Sequence, residues 1–274
     1  MGKYVFTFLL FCAISIQAQS DTSWTPSGVA GVNLSQIALS NWTQGGEDAL
    51  AFTIFGNFGL KYQSNPWTLT NNLKVAFGRT KLGDENFRTT DNELFLESVL
   101  SYDVNWDVKP FFSNTVRTVI TNGFDYGDPV VKISAFFDPG YITQALGFIY
   151  DKPEGFSTRL GLALQETFTS KFTHYADDPE TSEIEKFKLE TGIESVTEGE
   201  INLDDNLLFT SKLRLFGRFD QMDVWDVRWD NTLTAKVNEY VNVNLNVLVI
   251  YEKFQSPKTQ LKEALQLGLS YNIF

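Results

Sequence analysis

The sequence predicts an all-β chain, an antiparallel up-and-down transmembrane β-barrel of about 12 strands. Three observations predict it. Apolar and polar residues alternate with period two along most of the chain. The alternating segments are about twice as long as the roughly 5–6 residues of strands in soluble proteins, and transmembrane strands need about 9–11. The connections between them are alternately tight and long, which is how outer-membrane barrels are built.

Alternation is clear from Leu50, where Phe52, Ile54, Phe58, Leu60 and Tyr62 share one face against Ala51, Thr53, Asn57, Gly59 and Lys61. From Trp67, Leu69, Leu73, Val75 and Phe77 oppose Thr68, Thr70, Asn72, Lys74 and Gly78. From Trp225, Val227, Trp229, Leu233, Ala235 and Val237 oppose Asp226, Arg228, Asp230, Thr232, Thr234 and Lys236. The predicted strands fall near 28–40, 48–62, 67–79, 90–103, 107–122, 139–151, 155–169, 184–197, 206–218, 223–237, 241–254 and 261–273. Tight turns are expected at 63–66, 151–155 and 238–240, and long polar loops at 79–90, 123–138 and 170–183. Tyr62, Trp67, Tyr102, Trp106, Tyr150, Phe156, Tyr240 and Tyr271 fall at the short-turn edge, where amphipathic rings form a girdle at a membrane boundary. Trp42, Phe168, Phe172, Tyr175, Trp225 and Phe254 supply the opposite edge. A soluble barrel or sandwich, with its apolar face inside, is the competing fold; strand length, loop parity and aromatic edges favour lipid outside.

The first residues are expected to lie outside the fold. Lys3, an apolar run from Tyr4 to Ile14 and the small-residue site at Ile16-Gln17-Ala18 make residues 1–18 a secretory signal peptide and 19–274 the barrel. Phe11 before Cys12 is too bulky for lipoprotein processing. Cys12 is the single cysteine, so the exported chain carries no disulfide, thiolate nucleophile or cysteine metal site. The net charge is −12, one unit lower without Lys3, and argues against a phosphate-tracking nucleic-acid partner.

The alternating final strand, Leu265, Leu267, Leu269, Tyr271 and Ile273, ends in Phe274 and resembles the signal read by the barrel-assembly machinery, although Phe274 is offset by one residue from the apolar stripe. Trp24, Gly28, the run Gly31-Val32-Asn33-Leu34-Ser35-Gln36 and the box Asn41-Trp42-Thr43-Gln44-Gly45-Gly46 resemble a family of bacterial outer-membrane barrels known as a domain of unknown function, numbered 3078. Phe137-Asp138-Pro139, Asp226-Val227-Arg228-Trp229, Tyr251-Glu252, Gln260-Leu261-Lys262-Glu263 and Gly268-Leu269-Ser270-Tyr271 extend the likeness, with Glu252 where aspartate is expected. The resemblance implies fold and an outer-membrane location, and no activity.

Candidate functional residues are the charged ones on the inner face: Glu93, Glu97, Arg117, Arg159, Lys186, Lys188, Glu190, Lys212, Arg214, Asp226, Arg228, Asp230 and Lys236. Opposite charges projecting into one lumen either form a selective constriction or neutralise one another in a filled interior. Small residues (Ala76, Gly161, Ala163, Gly192) favour the first reading, a porin-like channel for small hydrophilic solutes. Bulky ones (Phe55, Phe95, Val99, Leu208, Phe216) favour the second, a scaffold or accessory subunit of an outer-membrane complex. The 123–140 segment either folds inward to constrict the lumen or is an ordinary surface loop, and the sequence does not favour one over the other. Trp42 in the Asn-Trp box could stack on a sugar, but a turn is the simpler reading. Asp177, Asp178, Glu180 and Glu183 lack the spacing of a calcium loop. No cofactor or metal is expected. No enzyme is expected either: the one histidine, His174, has no serine positioned beside it.

Overall fold

A computed structural model describes residues 23–40, 46–152, 155–178, 181–253, 256 and 258–274. Twelve strands close into one antiparallel barrel. They are β1 (Trp24–Ile37), β2 (Ala49–Ser64), β3 (Trp67–Leu82), β4 (Arg88–Tyr102), β5 (Lys109–Thr118), β8 (Gly140–Lys152), β9 (Phe156–Phe168), β10 (Phe187–Asp204), β11 (Leu207–Arg218), β12 (Trp225–Lys236), β13 (Val241–Tyr251) and β14 (Gln260–Asn272). Two short strands, β6 (Gly123–Asp125) and β7 (Val131–Ser134), form a separate hairpin in the connection from β5 to β8. Every barrel strand pairs with its sequence neighbours, and β14 returns to β1. Residues 1–22, the Asn41–Gly45 part of the Asn-Trp box and Phe254 lie outside the described residues.

The predicted faces sort as the period demands. On β9, Leu160, Leu162 and Leu164 point outward, 59%, 64% and 45% exposed, while Arg159, Gly161, Ala163, Gln165 and Thr167 between them are buried. Closure satisfies the backbone groups that lipid cannot, and leaves the greasy face for hydrocarbon. The outside is apolar and the inside polar, the reverse of a soluble barrel. At the short-turn end Trp24 packs on Tyr62 and Trp67 on Tyr102, both with ring centroids 4.7 Å apart, and Tyr240 stacks on Tyr271 at 6.5 Å.

Phe274 differs from its sequence parity. Strand β14 ends at Asn272, and the Phe274 ring turns back over outward-facing Gly28, where a Cβ would come within 3.0 Å of it. The terminal aromatic therefore joins the apolar outside. Strand β10 runs seven residues beyond its predicted end, because alternation continues through Glu198 and Glu200 opposite Lys212 and Thr210 of β11.

Gly161 and its partner Gly147 have a packing reason to be small. A Cβ on Gly147 would lie 2.1 Å from the Leu160 carbonyl oxygen and 2.5 Å from the Gly161 Cα. Overpacking of this kind costs about 1–3 kcal/mol. Gly147→Val should therefore lower the fraction of chain that refolds into lipid vesicles, read from the heat-modifiable gel mobility of the folded barrel. A wild-type yield would show that the two strands can part without loss.

Candidate functional site

The register of the strands projects nearly all the predicted charged residues into one lumen, and there they pair. They form three clusters, of which the first two cross it and the third runs along the wall from β9 to β12. In the first, Glu97 of β4 is 1% exposed and receives hydrogen bonds from Arg159 of β9 and from Lys212 of β11, the latter at 2.7 Å. Lys212 also lies 3.1 Å from Glu198. In the second, Lys74 of β3 lies 3.0 Å from Asp230 and 3.4 Å from Glu93, and Arg228 of β12 lies 2.5 Å from Glu93. Strands β4 and β12 are six places apart whichever way the ring is followed, so this bridge crosses the full lumen. Arg117 of β5 makes a parallel crossing to Glu252, just after β13, at 3.2 Å. In the third, Arg218 grips Asp226 through two bonds of 2.6 and 3.1 Å and lies 2.5 Å from Glu190, which also pairs with Lys188 at 2.9 Å. Arg214 joins Glu194 at 2.7 Å and the Gln165 amide oxygen at 2.9 Å.

The bridges divide the lumen into two unlike halves. Toward β5, β8, β9 and β10 it is dry: Val99, Phe111, Ala145, Ala163 and Phe216 form a buried cluster, and the Arg159–Glu97 pair is buried as well. Toward β13, β14, β1, β2 and β3 the inward residues are amides and hydroxyls. Asn246 donates to Asp230 at 3.0 Å, Asn244 to Asn33 at 3.2 Å and Asn242 to Ser270 at 2.8 Å. This half is more open to water, with Ser27, Asn57 and Lys61 exposed toward the short-turn end.

Two predicted positions fall elsewhere. Lys186 is an exposed bend residue before β10 begins, because the strand starts at Phe187, and its carbonyl accepts from the Thr169 amide. Lys236 is exposed at the short-turn rim. Lys74, Asp91, Glu194, Glu198, Arg218, Glu252 and Lys262 complete the clusters without having been among the predicted site residues. Shared parity was the available signal: Arg218 lies on the inner face with Arg214, and Glu194 with Glu190.

Of the two readings of the 123–140 segment, the structure bears out the surface loop. The 123–140 segment lies along the rim: the Tyr126 hydroxyl oxygen accepts from the Thr89 amide at 2.7 Å, and Phe136 is 62% exposed. Instead the loop after β9 brings Tyr175, expected at the membrane edge, over the lumen. Tyr175 lines a cavity of about 30 Å³ with Tyr141, Lys188, Glu190, Arg218 and Glu252. Asp138 ties the two loops together, accepting backbone N–H bonds from Ser170 at 2.8 Å, Lys171 at 2.9 Å and Phe172 at 3.4 Å. Burial pushes the Asp138 carboxyl up, but these donors and the Lys171 charge outweigh it and hold the group below its ordinary value. Among the described residues no group of acidic, histidine or cysteine side chains could hold a metal ion.

Two predictions follow from the pairing. Glu97→Gln leaves Arg159 and Lys212 facing each other without their carboxylate, and breaking a buried pair from one side costs about 3–5 kcal/mol. Its urea unfolding midpoint in lipid should fall accordingly. Asp151→Asn, which breaks the exposed Lys109–Asp151 pair, should cost less than about 1 kcal/mol. Because its pKa is depressed, the Asp138 clamp contributes fully at neutral pH and is lost as pH falls through the folded-state value. Loop cleavage by an acid-active protease should accelerate there, and Asp138→Asn should remove that pH step.

Solved structures similar to the chain include the translocator domain of an autotransporter from Neisseria meningitidis (10% identity, 90% of this chain and 87% of that one, TM-score 0.35). An outer membrane channel from Pseudomonas putida F1 (13% identity, 90% and 94%, TM-score 0.39) is another. No curated protein matches the sequence. Residues 34–124 match the family described as a protein of unknown function (DUF3078), the one that the N-terminal motifs resemble.

Proposed function

We propose that the barrel sits in the outer membrane of a Gram-negative bacterium, short turns toward the periplasm, and forms a narrow passive path for small hydrophilic solutes. The two-sided lumen carries the reading. Its dry half is shut by apolar packing and buried ion pairs. Its amide-lined half has exposed inward residues at the short-turn end and leads to the Lys74–Glu93–Arg228–Asp230 bridge. A solute passing there meets hydrogen-bonding groups and the Lys61 ammonium first and then a constriction of both signs, which selects by size and field.

Conductance across planar bilayers tests this. Small unitary steps are expected. Lys74→Ser shortens the bridge on its amide-lined side and should raise the step size, whereas Arg214→Gln with Arg228→Gln should shift selectivity toward cations. Absence of steps in wild type and in Lys74→Ser alike would favour the second reading, a filled scaffold barrel. The complete burial of Phe216 between the Arg214 and Arg218 guanidinium groups is the observation that supports it.

A further inference from the structure

The barrel wall is not sealed along its whole height. Strand β1 pairs with β2 over its entire length, from Trp24 to Ile37, but with β14 only from Val29 to Leu34, opposite Asn272 to Leu267. Beyond Leu34, β1 stays with β2 and leaves β14. Among the described residues the stretch Gln260–Gln266 of β14 therefore pairs with β13 on one side and with no strand on the other, and Ser35–Ile37 pairs with β2 alone. A wedge opens in the wall toward the long-loop end.

Its position and lining make the wedge chemically specific. Leu265 stands six residues along β14 from the girdle residue Tyr271, about 14 Å into the membrane at the usual strand rise and tilt. The outer lips are apolar apart from exposed Glu263: Leu34, Leu261 and Leu265 are 39%, 64% and 66% exposed. Behind them the lumen side is polar and already neutral. Gln266 accepts from Asn33 at 3.3 Å and donates to Thr53 at 3.4 Å, and Lys262 pairs with Asp91 on β4. Those side chains reach past the place where β1 would stand. A strand edge exposed to hydrocarbon leaves N–H and C=O groups without partners at a cost of several kcal/mol each, so polar atoms must reach them.

We infer that the β1–β14 wedge is a lateral portal that admits the head group of an amphiphile from the bilayer into the amide-lined half of the lumen, its apolar chain remaining among Leu34, Leu261 and Leu265. The head group is uncharged and hydrogen-bonding, a sugar or an amide. Asn33, Thr53 and Gln266 offer amide and hydroxyl partners, the Lys262–Asp91 charges already cancel, and exposed Glu263 between the leucines repels an anionic head. The portal rests on the barrel's lying in lipid but not on its conducting solutes.

Paired cysteines in vesicle-embedded protein test the opening, since Cys12 is the one native cysteine and lies in the expected signal peptide. Val32→Cys with Leu269→Cys spans the paired seam, and Gln36→Cys with Leu265→Cys spans the wedge where pairing would have continued. Disulfides need Cα atoms within about 7 Å, so the wedge pair should oxidise at least tenfold less than the seam pair. Equal oxidation within one chain means a sealed wall, and a disulfide-linked dimer means that a second copy covers the edge; either overturns the portal. Occupancy is read with dodecyl maltoside carrying a photoreactive diazirine next to the sugar. Labelling of the peptides holding Asn33, Thr53 and Gln266, abolished when a thiol-reactive linker bridges the wedge cysteines, is expected. Labelling confined to outward leucines would show a detergent belt and no entry. Loss of conductance with these results unchanged would refute the solute path alone.

Discussion

Hydrocarbon offers no hydrogen bonds, and the rest of this structure follows from that. Each backbone N–H and C=O within the membrane must find its partner in the chain, and a closed ring of strands achieves this with no helix. Closure then divides every strand into two environments. One face must be apolar, as in Leu160, Leu162 and Leu164. The other is free of that demand and here carries most of the charge.

Freedom from lipid does not make the inner face free of cost. A ring of this size holds its charges within reach of one another, and many are withdrawn from water. Buried carboxylates there are met by cations: Glu97 by Arg159 and Lys212 from other strands, and Glu190 by Arg218 from β11 and Lys188 from its own strand. Several bridges, Glu97–Lys212, Glu93–Arg228 and Arg117–Glu252 among them, join strands that are far apart in the ring and brace the cylinder from within. They also decide where water can go. Packing shuts the side lined by Phe111, Val99 and Phe216, and amides keep the other side wet. Function in such a barrel is then a question about the braces: which can yield, and what passes when they do.

Between β1 and β14 the pairing lapses beyond Leu34, as it also does along Arg88–Glu93 of β4, which pairs with β3 and not with β5. The edge groups of the β1–β14 wedge lie beside apolar lips and a polar interior. Where backbone pairing lapses within a membrane, something polar must take the missing strand's place. That gives the lapse a meaning it would lack in water, where solvent would satisfy the edge.

Period-two alternation determined the fold class, the assignment of faces, the parity of the loops and the aromatic edge at Tyr62, Trp67, Tyr102 and Tyr271. These are local properties, carried by residues two apart on one strand. It also placed Glu97, Arg159 and Arg228 on the inner face. Which charges meet was decided only by tertiary structure, because strand tilt and register set which residues share a level: Glu97 meets Lys212, 115 positions along the chain. The same reason hid the division into dry and wet halves and the cover by Tyr175. It also hid the wedge, since nothing in the alternation of β1 or β14 records that their pairing stops at Leu34.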